Sequence, residues 1–267
     1  MSDLVCCDID GHVATITLNR PEIRNAISGD DMIGAIVDTV ERMNEDANVR
    51  CAILTGAGTA FCAGGNIKLL ANPRDHIDPR NPARIRLGYR TGIQRIPTAF
   101  EKLEVPIIAA VNGPAIGAGC DMTCMCDIRI AGTRAQFAES FIRLGLIPGD
   151  GGAWLLPRVV GYSKACELAL TGETIDATEA LRIGLVSRVV PDAELLATAR
   201  ALAGRIAAHP PYALRMTKRL LRDGRHVKLD TALDMAAAMQ SLAHATHDHR
   251  RAVEAFVNKQ QATYTGE

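Results

Sequence analysis

Two glycine-rich stretches, Ala60-Phe61-Cys62-Ala63-Gly64-Gly65-Asn66-Ile67 and Ala110-Val111-Asn112-Gly113-Pro114-Ala115-Ile116-Gly117-Ala118-Gly119-Cys120-Asp121, constrain what this chain can fold into more than any other part of it. Each follows an apolar run of strand character, Arg50 to Gly56 in the first case and Pro106 to Val111 in the second, and each leads into helix-competent sequence. A strand-to-helix turn built of Gly and Ala leaves its backbone N–H groups unshielded, close to the positive end of a helix. Two such turns facing each other supply a pair of N–H groups that holds negative charge developing on a carbonyl oxygen.

The rest of the chain is organised around those turns. Leu4 to Ile9, a turn at Asp10-Gly11 and the alternating His12 to Leu18 predict an opening hairpin. Ser28 followed by Asp31 has the form of a capping box, and Met32, Ile33, Ile36, Val37 and Val40 fall at helical spacing. The alternation of strand, glycine loop and helix that follows implies right-handed crossovers and a largely parallel sheet, an α/β fold. Residues 72–98 are the least regular, with Pro73, Pro79, Pro82 and Pro97 among arginines; an insertion of this kind caps a site or moves. Beyond Pro191 the sequence turns helical over Ala193 to Ala208, Tyr212 to Leu221 and Leu229 to Gln260. The last of these has a broad apolar surface, from Ala232 and Leu233 through Met239 to Ala243, that calls for a covering partner.

Lysine and arginine balance aspartate and glutamate at 30 each, so no broad electrostatic footprint for nucleic acid exists and an anionic ligand must be met by local groups. No basic, apolar leader and no apolar run of membrane-spanning length is present, and the expected setting is cytoplasmic. Eight cysteines without the spacing of a disulfide scaffold fit that setting as small, reduced, buried thiols. Cys120, Cys124 and Cys126 lack a second ligand pair at zinc-like spacing, and His244, His247 and His249 lie among charges of a solvated face, so no metal is expected.

Ile16-Thr17-Leu18-Asn19-Arg20-Pro21, Arg24-Asn25-Ala26, both glycine stretches, Cys126 to Ala131, Gly145 to Gly152, Leu170-Thr171-Gly172, Ala177 to Ala180 and Gly184-Leu185-Val186 together resemble the crotonase (enoyl-CoA hydratase/isomerase) superfamily. The resemblance implies a spiral core of ββα units over residues 1–190 that carries an acyl-CoA site, and a helical trimerisation segment over 191–267, in a trimer or a dimer of trimers. It further implies that the irregular 72–98 stretch shapes the acyl pocket. Coenzyme A enters as part of a thioester substrate, with no permanently bound cofactor.

Carried onto this chain, the resemblance places the two oxyanion donors at Ala63 and Ala118. Binding contacts fall at Arg24 and Ala26, along Ala63, Gly64, Gly65, Asn66 and Ile67, and at Phe256 and Lys259 of the tail. Hydratases of this family use two glutamates; the matching positions hold Asp121, one methylene shorter, and Phe141, which exchanges no proton. Glu139 and Asp150 are the carboxylates nearby. Glu139 would share a strand face with residue 141, or sit at the surface or a subunit contact, and Asp150 would either act on substrate or cap the helix that follows Gly151. The expectation is that Asp121 is the principal catalytic carboxylate, its side chain emerging beside the oxyanion hole. A single carboxylate is enough for isomerisation, so the chain is read as an acyl-CoA enzyme of hydratase/isomerase type with weak crotonyl hydration. The alternative is an acyl-CoA-binding homologue without turnover. RNA binding, which belongs to one branch of the superfamily, finds no lysine-rich helix here.

Overall fold

The apolar runs preceding the two glycine stretches are neighbouring strands of one sheet. A computed structural model describes residues 3–66 and 81–267, and the main sheet has six strands in the order β1-β2-β3-β4-β6-β9. β1 (Val5–Asp10) and β2 (Val13–Leu18) form the antiparallel opening hairpin. β3 (Cys51–Gly56), β4 (Ile107–Val111), β6 (Ile128–Gly132) and β9 (Arg188–Val190) continue it in parallel. β3 and β4 are buried along their whole length, covered on both faces, which is why they read as unbroken apolar runs. A second sheet joins β5 (Ala115–Ile116) in parallel to β7 (Gln136–Ala138), which pairs antiparallel with β8 (Thr174–Asp176).

Side chains of β3 alternate between two cores, as the two-residue strand period requires. Ala52 and Leu54 join Met32, Ile36 and Val40 of the Asp30–Glu45 helix and Ile96 and Phe100 of the Arg95–Lys102 helix. Cys51 and Ile53 face the other way, onto Leu195, Ala199, Ala203 and Ala207 of the Leu195–Ala207 helix. The first helix beyond Pro191 is thus a layer of the core, and the uncovered part of the tail begins later. The Pro211–Asp223 helix is held by cations rather than by apolar burial: Arg215 donates to Asn44 O and Asp46 O, and Lys218 to Val105 O and Asp127.

Three expectations on local structure are corrected. Ser28 does not cap the first long helix, whose N-cap is Gly29; the Ser28 hydroxyl instead accepts from the Asn66 N–H at 2.6 Å. The stretch expected as one helix from Leu229 to Gln260 is two, Leu229–Ala245 and His247–Val257, broken at Thr246, whose hydroxyl donates to Ala243 O and accepts from His249 N–H. Residues 139 and 141 do not share a strand face, because β7 ends at Ala138 and Ser140–Leu144 forms a 3-10 turn.

The two glycine stretches are tied backbone to backbone. Cys62 bridges to Ala115, and the Ile116 N–H donates to Cys62 O at 3.0 Å. Gly119 lies so close that a Cβ there would run into the Cys62 carbonyl. Gly119→Ala should therefore lower the unfolding free energy by about 1–3 kcal/mol, seen as a reduced urea midpoint; an unchanged midpoint would mean that the two stretches separate without cost.

Candidate active site

Asparagine side chains fix the first glycine stretch before any ligand is considered. Asn25, fully buried and in the left-handed region at φ +57°, accepts from Arg20 N–H and donates to Ala57 O and Ala60 O, each at 2.9 Å. Asparagine is one of the few residues besides glycine that adopts this conformation readily. Asn112, from the second stretch, accepts from Gly56 N–H at 3.2 Å and donates to Gly58 O at 3.1 Å. Gly64 has φ +79°, and a side chain there would meet the Ile116 carbonyl.

Beside the joined stretches lies a cavity of about 420 Å³. Ala63, Gly65, Asn66, Ile116, Gly117 and Ala118 form its wall of backbone; Ile27, Ile33, Ile85, Ile93, Leu144 and Leu146 give it an apolar interior. Tyr89 and Phe141 add two aromatic rings. The Pro82–Thr91 helix, within the irregular insertion, supplies Ile85, Gly88, Tyr89 and Thr91, so that insertion shapes the pocket. No helix among the described residues is long and apolar enough to cross a membrane, and no cluster of three metal-type ligands occurs among them.

The backbone N–H groups of the wall differ in availability. Ala63 N–H donates to Arg24 O at 2.9 Å, so the donor expected there is engaged inside the protein. Among the described residues, the N–H groups of Gly65 and Ala118 have no protein acceptor, and both residues line the cavity. The engagement of Ala63 N–H could not be read from sequence, since composition cannot tell which amide of Ala63-Gly64-Gly65-Asn66 is tied back by a neighbouring loop. Ala118 is the first residue of the short Ala118–Cys124 helix, where an N–H is left free by helix geometry.

Carboxylates fall into two sets. Asp150 lines the cavity and is 8% exposed; burial alone pushes its pKa up to about 6. It does not cap the Gly152–Val160 helix, whose N-cap is Gly151 without a side-chain bond, so the capping expectation is overturned. Gln94 Nε2 donates to Gly149 O at 3.0 Å and steadies that turn, and Tyr89 lies over Gly149, its phenol raised by burial and by the charge of Asp150. Asp30 also lines the cavity, exposed in the first turn of its helix.

Asp121 and Glu139 form the second set, 0% and 1% exposed, and neither lines the cavity. The expectation that Asp121 emerges beside the free amides is corrected: it points from the Ala118–Cys124 helix into the packed interior, against Gly152. The surface reading of Glu139 is corrected by its burial. Burial first, and then the charge of Glu139, hold the Asp121 pKa well above the usual carboxylate range. Burial pushes Glu139 up to about 7.

The remaining expected contacts are dispersed. Arg24 is exposed in the left-handed region at φ +54° and contributes its carbonyl to Ala63, while Ala26 is buried beneath the loop. Ile67 lies outside the described residues. Phe256, 86% exposed, and Lys259 lie on the tail and line no part of this chain's cavity. Asn25 and Tyr89 were not singled out from sequence; the first sits inside the Arg24-Asn25-Ala26 motif, and the second carries no local signal.

The sequence and the fold both have known relatives. The family model described as enoyl-CoA hydratase/isomerase matches residues 8–267. The chain is 37% identical to the 1,2-epoxyphenylacetyl-CoA isomerase of Escherichia coli, covering 100% of each. It is 37% identical to the crotonyl-CoA hydratase of Syntrophomonas wolfei, covering 94% of each. It superposes on the crystal structure of an enoyl-CoA hydratase from Bacillus anthracis with a TM-score of 0.91 at 35% identity, over 99% of this chain and 100% of that one. Shared fold, matched motifs and whole-length similarity lead to one conclusion: the chain belongs to the enoyl-CoA hydratase/isomerase family.

Proposed function

We propose that this protein is an acyl-CoA enzyme that shifts a double bond by proton transfer, with Asp150 as its base and the N–H groups of Gly65 and Ala118 as its oxyanion hole. The observation carrying this reading is a buried carboxylate that opens on the same apolar cavity as two backbone donors without protein acceptors. A 3-enoyl thioester seated there would lose its C2 proton to the Asp150 carboxylate. The resulting dienolate would put its negative charge on the thioester oxygen between the two amides, and the same carboxyl would return the proton at C4. Atoms and charge balance with no other reactant.

Hydration asks for more, since a second group must handle the proton of water. The family position for that group is Phe141, an aromatic wall of the cavity, which favours isomerisation over hydration of a crotonyl thioester. A thioester-binding protein without turnover is not favoured, because relatives similar over their whole length are named as enzymes. The free thiols, none of them in a disulfide, fit a cytoplasmic setting.

A screen of 2-enoyl, 3-enoyl and aryl-substituted CoA thioesters, read by the conjugated thioester chromophore, tests the reaction class. Conversion of a 3-enoyl to a 2-enoyl thioester is the expected outcome; efficient hydration of crotonyl-CoA instead would overturn the isomerase reading. With its pKa near 6, Asp150 is ionised at neutral pH, so kcat/KM should fall as the pH drops below about 6. Asp150→Asn should lose on the order of 10²–10⁴-fold in kcat, and a fully active variant would remove Asp150 from the mechanism.

The oligomeric reading rests on the tail. Leu229, Leu233 and Leu242 of the Leu229–Ala245 helix are exposed, as are Val253, Phe256 and Val257 of the next one, a surface that in water calls for a partner. Three or six copies of this chain would cover it. Phe256 and Lys259 would then meet coenzyme A only when it is bound to a neighbouring copy. Light scattering should give a trimer or hexamer, and Leu233→Asp with Leu242→Asp should shift it toward monomer; a stable full-length monomer would contradict the reading.

A further inference from the structure

Beneath the cavity wall, two carboxyl groups are sealed together in a way that the reaction above does not use. Asp121 and Glu139 lie within hydrogen-bonding reach of each other; the Gly152 N–H approaches Asp121 and the Cys120 thiol approaches Glu139, but none of the four carboxyl oxygens accepts a well-aligned bond from a backbone or side-chain donor. Among the described residues no ion pair reaches either of them. Among the described residues, every charged or titratable group facing the pair is acidic or a thiol. Cys120 and Cys124 come from the Ala118–Cys124 helix, and Asp150 from the turn before the Gly152–Val160 helix. Arg129 of β6 acts on Cys124 rather than on the pair, and its guanidinium is already engaged by the carbonyls of Leu185 and Cys126 at 2.6 Å each.

Two ionised carboxylates without a cation cannot share so dry a site, because each would forfeit its hydration and repel the other. One proton between them removes both costs, the protonated acid donating to the ionised one. Their position gives this a consequence for the active site. The Asp121 oxygens fill the space where a Cβ of Gly152 would stand, so the turn that carries Asp150 rests directly on the pair.

We propose that Asp121 and Glu139 form a proton-sharing carboxyl pair, closed to substrate, that supports the Asp150-Gly151-Gly152 turn and thereby positions Asp150 in the cavity. They are positioning residues; the effect on Asp150 rests on the function proposed above, whereas the shared proton does not. The direction of the shifts agrees: a Glu139 moved from 4.5 to about 7 means that the native state binds protons more tightly than the unfolded chain. Stability from this source is complete below the unfolded value and is lost as the pH rises through the folded one.

The infrared spectrum of the intact protein tests the pair directly. At about pH 8, where exposed carboxyls are ionised, the carbonyl stretch of a protonated carboxylic acid should remain in the wild type and disappear in Asp121→Asn. The melting temperature of the wild type should fall between about pH 5 and pH 8, and Asp121→Asn should flatten that dependence. In turnover, Asp121→Asn, whose amide donates to Glu139 as the acid does, should stay within about tenfold of wild type. Asp121→Ala should lose on the order of 10²-fold, as misplacement of a reacting group does, with the acid limb set by Asp150 unmoved. Absence of a protonated carboxyl in the wild type would overturn the pair, and equal loss in Asp121→Asn and Asp150→Asn would overturn the positioning role. If Asp121→Ala fails to fold, the infrared and melting measurements on wild type and Asp121→Asn still decide the matter. A wild-type infrared signature together with an active Asp150→Asn would retain the pair and remove the proposed base.

Discussion

Everything that distinguishes this site depends on the close approach of two backbone segments, Ala60 to Asn66 and Asn112 to Gly119. Cys62 is the meeting point: its carbonyl accepts from Ile116 N–H, it bridges to Ala115, and Gly119 packs against it where no side chain would fit. A Cβ at Gly119 or at Gly64 would run into the opposing backbone and block this approach. The parallel strands β3 and β4 deliver both segments to the same end of the sheet, where ligands of open α/β folds bind. Asn25 and Asn112 then bind the carbonyls of Ala57, Gly58 and Ala60 where the first segment begins, Arg24 O takes up the Ala63 N–H, and the amides of Gly65 and Ala118 have no protein acceptor among the described residues.

Around this frame the protein handles acidic groups in opposite ways. Asp150 is kept at the edge of the cavity, buried enough to be a stronger base than a free aspartate and open enough to meet a ligand. Asp121 and Glu139 are moved inside, where a charge is costly and a shared proton is the stable arrangement. With Phe141 among the lining side chains, a family whose hydratases use two glutamates is represented here by a cavity that has, among the described residues, one buried carboxylate in Asp150 and one exposed in Asp30. One base over an enolate is the chemistry that such an arrangement supports most simply.

The main strands, the hairpin and the two turns were legible from sequence because burial and glycine spacing leave direct marks. β3 reads as an unbroken apolar run, and Gly117 to Gly119 as a turn. What was not legible depended on distant neighbours. Whether Ala63 or Gly65 offers its amide is decided by the carbonyl of Arg24, thirty-nine positions from the first of them and placed by Asn25. Whether Asp121 faces substrate or interior is decided by how the Gly152–Val160 helix packs against the Ala118–Cys124 helix, which local pattern does not encode. The break at Thr246 is marked by no glycine or proline in the sequence; the extended backbone at Thr246 and its side-chain bonds to both helices reveal it.

The central claim, that the joined turns stabilise a thioester enolate, is tested most directly by exchange of the α-protons of a saturated acyl-CoA in deuterated water, followed by mass spectrometry. This measurement needs no knowledge of the natural acyl group. Ala118 is the first residue of its helix, a position that tolerates proline, so Ala118→Pro removes the donor while keeping the helix. The account predicts deuterium uptake by the wild type and a loss on the order of 10²–10³-fold in Ala118→Pro. Exchange that survives in the folded variant, or none in the wild type with any saturated thioester, would contradict it.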